Sequence, residues 1–239
     1  MKKNALKKEG FDRIASTYGL LENLAFGKSL QKARIAHLKQ IKGAREILLA
    51  GEGNGRFLEV LLAKNLHCKV TCMDKSQSML NLAQRRIGNS GVNRVTFQKI
   101  DLTMEAIPEN KYDALVTHFF LDCFRPKTLL DLLHQLGNSL QHGGKWLLAD
   151  FVEPNKKNLL GGFQSSILRL LYYFFYKTSG IEAKKVCCPK QIMHSLNMRE
   201  MGHKSFLRGW ITSSTYEKSD LEFSRNQSFQ ESSMDLEKT

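Results

Sequence analysis

The stretch Ile47–Leu62, with the sequence ILLAGEGNGRFLEVLL, decides the fold of this chain. A short apolar run passes through Gly51, Gly53 and Gly55 and then continues as an amphipathic run. This order is typical of a buried strand, a tight turn and a helix. Such a turn suits a bound small molecule, because glycine lets ligand atoms approach the backbone and the helix start offers unpaired N–H groups. A turn without a ligand is the alternative, since glycine-rich turns also form for steric reasons.

An acidic residue after the next strand favours the ligand-binding interpretation. The predicted strand Lys69–Met73 is followed by Asp74, about twenty positions beyond the glycine turn. An acid at this place can accept hydrogen bonds from ribose hydroxyls in a Rossmann-type site. Asp74 can also cap the predicted helix Gln77–Ile87, alongside Ser76.

Strands and helices alternate through the rest of the central region. The predicted elements are the strands Val95–Ile100 and Asp113–Thr117, the helix Pro126–Leu140 and the strand Lys145–Asp150. Alternation of this kind predicts a parallel sheet with helices on both faces and a ligand site at the carboxyl ends of the strands. A helix, Pro189–Met201, and two strands, Lys204–Arg208 and Trp210–Tyr216, complete the pattern; the strands are expected to pair antiparallel across a turn at Gly209.

Length and composition favour one domain. The chain has 239 residues, 42% of them hydrophobic, which is enough for one large core. We expect residues 1–10 to be a basic, flexible N-terminus and residues 11–216 to form a single domain whose N-terminal helices span residues 11–43. Residues 217–239 are rich in polar and charged side chains and are expected to be disordered.

The formal net charge of +13 suits an acidic partner such as nucleic acid or an anionic membrane. Many of the cations lie near the N-terminus, where they also fit the solvated faces of two helices. Because no recognisable nucleic-acid-binding module accompanies them, a nucleic acid partner is not expected, whereas peripheral membrane contact stays open. The oligomeric state is not predicted.

The five cysteines do not form spaced pairs of metal ligands, and no metal is expected. An odd number of cysteines fits a reducing compartment. The first residues lack the apolar core of a signal peptide, and we therefore expect a cytoplasmic protein.

The segment Asn158–Thr178, NLLGGFQSSILRLLYYFFYKT, is rich in aromatic residues. Its middle is too polar for a membrane span. A helical lid over an apolar pocket, spanning residues 155–178, an interfacial helix resting on a membrane and a plain core helix all remain open. The lid interpretation assigns substrate contact to Phe163, Tyr172, Tyr173 and Tyr176.

These features together resemble the class I S-adenosylmethionine-dependent methyltransferase family. GEGNGR at Gly51–Arg56 resembles its glycine-rich first motif, Asp74 matches its ribose-binding acid, and Asp101 matches a residue beside the adenine ring. The segment FDRIASTYGLLEN, residues 11–23, is similar to the opening of the ubiquinone and menaquinone C-methyltransferases. The resemblance implies an α/β, Rossmann-like, doubly wound, seven-stranded and mostly parallel sheet with a terminal antiparallel β-hairpin and helical lid elements.

The resemblance also implies S-adenosylmethionine as cofactor and S-adenosylhomocysteine as product. The implied cofactor-binding residues are Tyr18, Gly51, Glu52, Gly53, Asn54, Gly55, Asp74, Lys75, Met79, Asp101, Leu102 and His118. The family usually has an acid two positions before the first glycine, to meet the methionine ammonium, and here that position is Leu49. We expect Glu52 or a backbone carbonyl to receive the ammonium instead.

The function implied is methyl transfer to a small, apolar or aromatic acceptor. The candidates for a general base are His118, Asp122 and Asp150, each of which also has a structural interpretation. A nicotinamide-dependent oxidoreductase is the rival enzyme, but Leu58 stands where a dinucleotide turn has its third glycine. A non-catalytic scaffold that binds RNA or an anionic membrane is the other alternative. The Tyr-Asp pair of the quinone enzymes reads Tyr18–Gly19 here, which does not favour a quinone acceptor.

Overall fold

The computed structural model of the chain describes residues 26–89, 91–152 and 190–219. The helices in these ranges are α1 (Ser29–Ile35), α2 (Arg56–Lys64), α3 (Gln77–Ile87), α4 (Pro126–Ser139) and α5 (Lys190–Ser195). The strands are β1 (Glu46–Ala50), β2 (Lys69–Asp74), β3 (Val95–Lys99), β4 (Tyr112–His118), β5 (Leu140–Phe151), β6 (Met198–Phe206) and β7 (Ile211–Lys218). Short 3-10 turns lie at Leu38–Ile41, Val92–Arg94, Leu121–Cys123 and Leu207–Gly209.

The strands form one seven-stranded sheet in the order β3-β2-β1-β4-β5-β7-β6. The first five strands in this order pair in parallel, and β7 runs antiparallel to both β5 and β6. The predicted fold class, including the terminal antiparallel hairpin, is therefore confirmed. The order reverses direction at β1 and β4, which places a crevice at their carboxyl ends, where ligands bind in open α/β sheets.

Alternate residues of β1 enter two different hydrophobic layers, because successive side chains of a strand point to opposite faces. Ile47 and Leu49 pack with α2 and α3 on one face, whereas Leu48 and Ala50 pack with α4 and α5 on the other. The continuous apolar run read from the sequence is thus that of a strand covered on both sides.

A third hydrophobic cluster lies at the carboxyl edge of the sheet, where α1 packs beside the ends of β4 and β5. Its buried members are Phe26, Leu30, Ala33, Ala149, Phe151 and Ile211. This cluster brings α1 next to the crevice.

Three predicted boundaries are wrong. The helix predicted over Pro189–Met201 ends at Ser195, and β6 begins at Met198, because Met198 and Arg199 pair with Lys218 and Glu217 of β7. The hairpin ladder decides the conformation here against the local pattern. β7 consequently includes Glu217 and Lys218, which the sequence assigned to a disordered tail. β5 begins at Leu140, where the sequence predicts the end of a helix.

Several predictions concern other parts of the chain. The basic N-terminus, Tyr18, the lid segment with its four aromatic residues, and residues 220–239 lie outside the described ranges. Across those ranges no helix has the length and apolar character needed to cross a membrane.

Candidate functional site

The glycine turn joins β1 to α2 in a backbone conformation that glycine adopts easily. Gly51, Gly53 and Gly55 have φ values of +68°, +67° and +80°, which side chains with a Cβ rarely adopt. A Cβ on Gly55 would lie 2.7 Å from the Cα of Ala83 in α3, so this glycine is also required for packing. A Cβ on Gly53 would meet no atom within 4 Å, so the turn is open at its middle.

Asp74, at the end of β2, is hydrogen-bonded to the glycine turn. Its Oδ2 accepts from the backbone N–H of Gly53 at 3.0 Å, and its Oδ1 accepts from the N–H of Ser76 at 2.8 Å. Ser76 is the N-cap of α3, since its hydroxyl accepts from the N–H of Met79 at 3.2 Å. The ribose-binding candidate and the turn therefore lie together, and capping of α3 falls to Ser76.

Lys75 and Asp101 form an ion pair next to this turn, with the Lys75 Nζ 2.7 Å from the Asp101 Oδ2. Burial acts to raise the pKa of Asp101, but hydrogen bonds from Lys75 and Thr103 outweigh it and hold the pKa below its ordinary value. The structure thus gathers three of the predicted cofactor residues, Asp74, Lys75 and Asp101, at the carboxyl ends of β2 and β3. Met79 and Leu102 are buried in the layers below them, and Asn54 is buried in the turn.

Glu52 faces the start of α2. Its Oε1 accepts hydrogen bonds from the backbone N–H groups of Phe57 and Leu58, each at 2.9 Å. Burial raises the pKa of Glu52 to about 7, although these hydrogen bonds and the nearby Arg34 guanidinium act to lower it. Leu49, where the family acid was expected, is fully buried between the sheet and α2. Whether Glu52 receives the methionine ammonium stays a prediction, but its Oε1 already accepts hydrogen bonds from the first turn of α2.

His118 ends β4 on the same face as Leu49. Its ring packs edge-on against Phe57, with the two ring centroids 4.7 Å apart. Both ring nitrogens are shielded from solvent and have no hydrogen-bond partner among the residues that the structure describes. Burial, together with the charges of Arg34 and His37, lowers the pKa of His118 well below its ordinary value. The imidazole is therefore neutral near pH 7 and is a weak base.

Asp122 and Asp150 are buried at the carboxyl ends of β4 and β5, with exposed fractions of 4% and 2%. The Oδ1 of Asp150 accepts from the backbone N–H of Phe120 at 3.2 Å and so holds the loop after β4. The Oδ1 of Asp122 lies 3.6 Å from the Cys123 Sγ. The structure places both carboxylates at the predicted edge of the sheet, and the role of either as a base stays a prediction.

Sequence reasoning missed an aromatic cluster beside the turn, formed by Phe26, Phe119 and Phe151. The rings of Phe119 and Phe151 are 5.2 Å apart, and those of Phe26 and Phe151 are 5.0 Å apart. The buried Arg34 guanidinium lies 5.0 Å from the centre of the Phe119 ring. The only signal in the sequence is that Phe119 lies two residues after one predicted strand end and Phe151 directly follows another.

Phe120 is a second missed residue, because its ring packs directly on the glycine turn. A Cβ on Gly51 would lie 2.1 Å from the Phe120 Cδ2, so only glycine allows this contact. Phe119, one residue earlier, has a φ of +56°, which is unusual for a bulky side chain. Strained backbone of this kind is often found at functional sites.

The known proteins that match this chain are described as methyltransferases. A family model described as a methyltransferase domain matches residues 47–144. A demethylmenaquinone methyltransferase from Thermotoga maritima is 26% identical over 170 residues, which cover 70% of each chain. A ubiquinone/menaquinone biosynthesis C-methyltransferase from Blochmanniella floridana is 26% identical over 179 residues, covering 72% of this chain and 66% of the relative.

Solved structures show the same fold. Human N-acetylserotonin methyltransferase in complex with SAM superposes with a TM-score of 0.62 at 15% sequence identity. The match covers 86% of this chain but 56% of the human chain, so this chain spans little more than half the length of that enzyme.

Proposed function

We propose that the chain is a class I S-adenosylmethionine-dependent methyltransferase that transfers the methyl group to a small, apolar or aromatic acceptor. The observation that carries the location of the cofactor site is the contact between Asp74 and Gly53. One carboxylate anchors the open middle of the glycine turn at the carboxyl ends of β1 and β2. The acceptor class rests on the aromatic cluster beside that turn.

The residues of the site fit this cofactor. The open space at Gly53 leaves room for ligand atoms to approach the backbone. The Asp74 carboxylate suits ribose hydroxyls, and Asp101 is placed for the adenine side, beside its partner Lys75. The Asp74 and Glu52 carboxylates both accept hydrogen bonds from the backbone in or just after the turn, which agrees with a ligand that carries a sulfonium and no phosphate.

S-adenosylmethionine, when bound, would supply an activated methyl group: the acceptor would attack the methyl carbon in line with the carbon–sulfur bond, and that bond would break to leave the thioether of S-adenosylhomocysteine. The protein therefore has to position the acceptor and exclude water. Holding two reactants in the right geometry can contribute up to roughly 7–11 kcal/mol of the barrier. In our proposal Asp74 and the glycine turn hold the nucleoside, while Phe119 and Phe151 form part of an apolar wall on the acceptor side.

The geometry does not single out a general base among the three candidates. His118 is neutral and a weak base, and Asp150 is engaged by the loop after β4. Asp122 is the third candidate. We propose that an acceptor with a hydroxyl or an acidic carbon loses its proton, after binding, to water or to one of these three side chains. Replacement of each residue in turn tests its role.

We also propose that the protein works in a reducing compartment such as the cytoplasm. Cys68 and Cys72 are buried free thiols, and burial raises the pKa of each. Cys123 is free as well, and burial raises its pKa well above the ordinary value. Free thiols, rather than disulfides, are typical of proteins in a reducing compartment.

A methyl-transfer assay tests the acceptor class. The chain is incubated with S-adenosylmethionine labelled in its methyl group and with either a short-chain demethylmenaquinol, an apolar phenol or a polar amine such as glycine. The demethylmenaquinol is included because the relatives named above are quinone-pathway methyltransferases by name. We expect label in one or both aromatic acceptors and none in glycine. Label in glycine alone would contradict the proposed acceptor class.

A further inference from the structure

The outward face of α1 combines cations with an exposed aliphatic side chain. Lys28, Lys32 and Ile35 lie at positions i, i+4 and i+7, on the side of the helix opposite the buried Leu30 and Ala33. Ile35 is 38% exposed. A helix with an apolar residue between lysines on its solvent side does not follow the usual pattern, in which that side is entirely polar.

The segment that contains α1 carries cations only. From Phe26 to Arg45 the sequence has six basic residues and no acidic one. The basic residues are Lys28, Lys32, Arg34, Lys39, Lys42 and Arg45, and all except Arg34 are exposed. Since no acidic side chain within the segment neutralises them, this face carries a positive potential that attracts anions.

The turn between β6 and β7 is strained and presents similar chemistry. Leu207 and Arg208 have φ values of +47° and +54°, two successive side chains in the left-handed region. Both are exposed, Leu207 by 37%. Each such conformation costs about 1–3 kcal/mol and persists where the surrounding structure or a function requires it. The strain here turns one aliphatic side chain and one guanidinium toward solvent.

The turn and α1 pack on the same hydrophobic cluster. Phe206 and Trp210, which flank the turn, pack on the same cluster as Phe26 and Leu30 of the α1 region. The Lys204 Nζ of β6 donates a hydrogen bond to the backbone carbonyl of Ala36, just after α1, at 3.3 Å. We call the exposed side chains that these elements carry the basic docking face; they are Lys28, Lys32, Ile35, Lys204, Leu207 and Arg208.

We propose that the basic docking face binds the surface of an anionic membrane. Lysine and arginine side chains meet the lipid phosphates, and the Ile35 and Leu207 side chains enter the boundary between headgroups and acyl chains. RNA is the less suitable partner, because single-stranded nucleic acid is usually held by aromatic side chains that stack on bases. The two exposed apolar side chains of this face are aliphatic.

The basic docking face lies near the same edge of the sheet as the proposed acceptor side. Phe206 ends β6 at the carboxyl edge of the sheet, where Phe151 and the aromatic cluster also lie. A membrane bound at this edge would present a lipid-dissolved acceptor to the proposed acceptor side. This last step rests on the proposed function, whereas membrane binding itself does not depend on methyl transfer.

Co-sedimentation of the full chain with vesicles tests the proposal. One set of vesicles contains phosphatidylcholine alone, and the other contains phosphatidylcholine mixed with phosphatidylglycerol. We expect the chain to sediment with the anionic vesicles, and the bound fraction to fall as salt is raised, because salt screens the attraction. Equal binding to both sets would overturn the electrostatic basis of the proposal.

Charge-reversal variants locate the surface. The variant Lys28→Glu/Lys32→Glu/Arg208→Glu is expected to bind anionic vesicles at least about tenfold more weakly. The variant Lys64→Glu/Arg85→Glu/Lys127→Glu changes the net charge equally at exposed positions on α2, α3 and α4, and is expected to keep most of the binding. Equal loss in both variants would show that net charge alone, and not this face, causes binding. Circular dichroism checks that each variant is folded.

The aliphatic contribution is tested by Ile35→Ser/Leu207→Ser, which leaves all charges in place. Since apolar insertion is not screened by salt, this variant is expected to lose the binding that remains in wild type at high salt. If this variant binds as tightly as wild type at every salt concentration, the apolar contacts are removed from the proposal.

Binding to a single-stranded RNA is the second control. Tighter binding to the RNA than to anionic vesicles, abolished by the first charge-reversal variant, would assign the face to nucleic acid and overturn the membrane proposal. If the chain binds anionic vesicles as expected but transfers no methyl group in the assay, membrane binding is supported and the proposed function is not.

Discussion

Glu52 shows at the residue scale how a side chain can be present in a motif and yet serve the fold. The sequence places it inside the glycine turn, where it was expected to meet the methionine ammonium. The structure shows its Oε1 accepting from two backbone N–H groups at the start of α2. An acceptor oxygen there is favourable, because the first N–H groups of a helix lack partners within the helix.

The raised pKa of Glu52 predicts a pH-dependent stability. Below pH 4.5 the group is protonated in both the unfolded and the folded chain, and up to about pH 7 it stays protonated only in the folded chain. Its contribution to stability is therefore present at low pH and is lost as pH rises through about 7. Glu52→Gln keeps the acceptor oxygen but removes the ionisation.

We therefore expect Glu52→Gln to gain stability over wild type as pH rises, by roughly 2–3 kcal/mol between pH 5 and pH 8. Urea unfolding at the two pH values measures the difference. Glu59→Gln, at an exposed position of α2, is the matched control and should show a much smaller change. If the difference in free energy of unfolding between Glu52→Gln and wild type does not depend on pH, the raised pKa of Glu52 is contradicted.

At the element scale, the glycine turn and the two helices that follow it depend on each other. Gly55 approaches the backbone of α3, whereas Gly53 faces open space, although both have a positive φ. Substitutions at these two glycines therefore measure the cost of backbone strain with and without a steric clash.

Gly55→Ala is expected to lose roughly 2–5 kcal/mol of folding free energy, because its Cβ would lie 2.7 Å from the Cα of Ala83 in addition to the strain. Gly53→Ala is the matched variant and is expected to lose only about 1–2 kcal/mol, from strain alone. Chemical denaturation of both proteins measures the two costs. Equal losses would mean that the contact between the turn and α3 is not as close as described.

Elements with a strong local signal could be predicted from the sequence, and elements that depend on distant partners could not. The run ILLA, the three glycines and the proline at the start of α4 each favour one conformation locally. The start of β6 has no such signal, because MREM is compatible with a helix and becomes a strand only through its pairing with β7. β5 likewise begins early because Leu140 pairs with Tyr112.

The same distinction applies to the candidate site. The position of Asp74 was predictable because strand ends of a parallel sheet meet at one edge, whereas Asp101 was implied by the resemblance to the family. The Phe119–Phe151 contact and the burial of Arg34 were not predictable, because they require the left-handed backbone at Phe119 and the docking of α1 on the sheet. Spacing in the sequence carries no information about either.

At the scale of the whole molecule, acidic residues and aromatic residues lie on opposite sides of the glycine turn, and in our proposal these are the nucleoside side and the acceptor side. Asp74, Lys75 and Asp101 lie at the ends of β2 and β3, whereas Phe119 and Phe151 lie at the ends of β4 and β5. The glycine turn after β1 lies between them. This arrangement follows from the strand order, which places β1 and β4 side by side at the centre of the sheet.

The central claim is that S-adenosylmethionine binds at the carboxyl ends of β1, β2 and β3, with Asp74 as a principal contact. Calorimetric titration of S-adenosylhomocysteine into wild type, Asp74→Ala and Asp131→Ala tests it most directly. Asp131 is an exposed acid on α4 and serves as the matched control for charge. We expect wild type and Asp131→Ala to bind alike, and Asp74→Ala to remain folded and bind at least roughly tenfold more weakly. No binding by wild type at high micromolar concentration, or equal affinity in all three proteins, would contradict the claim.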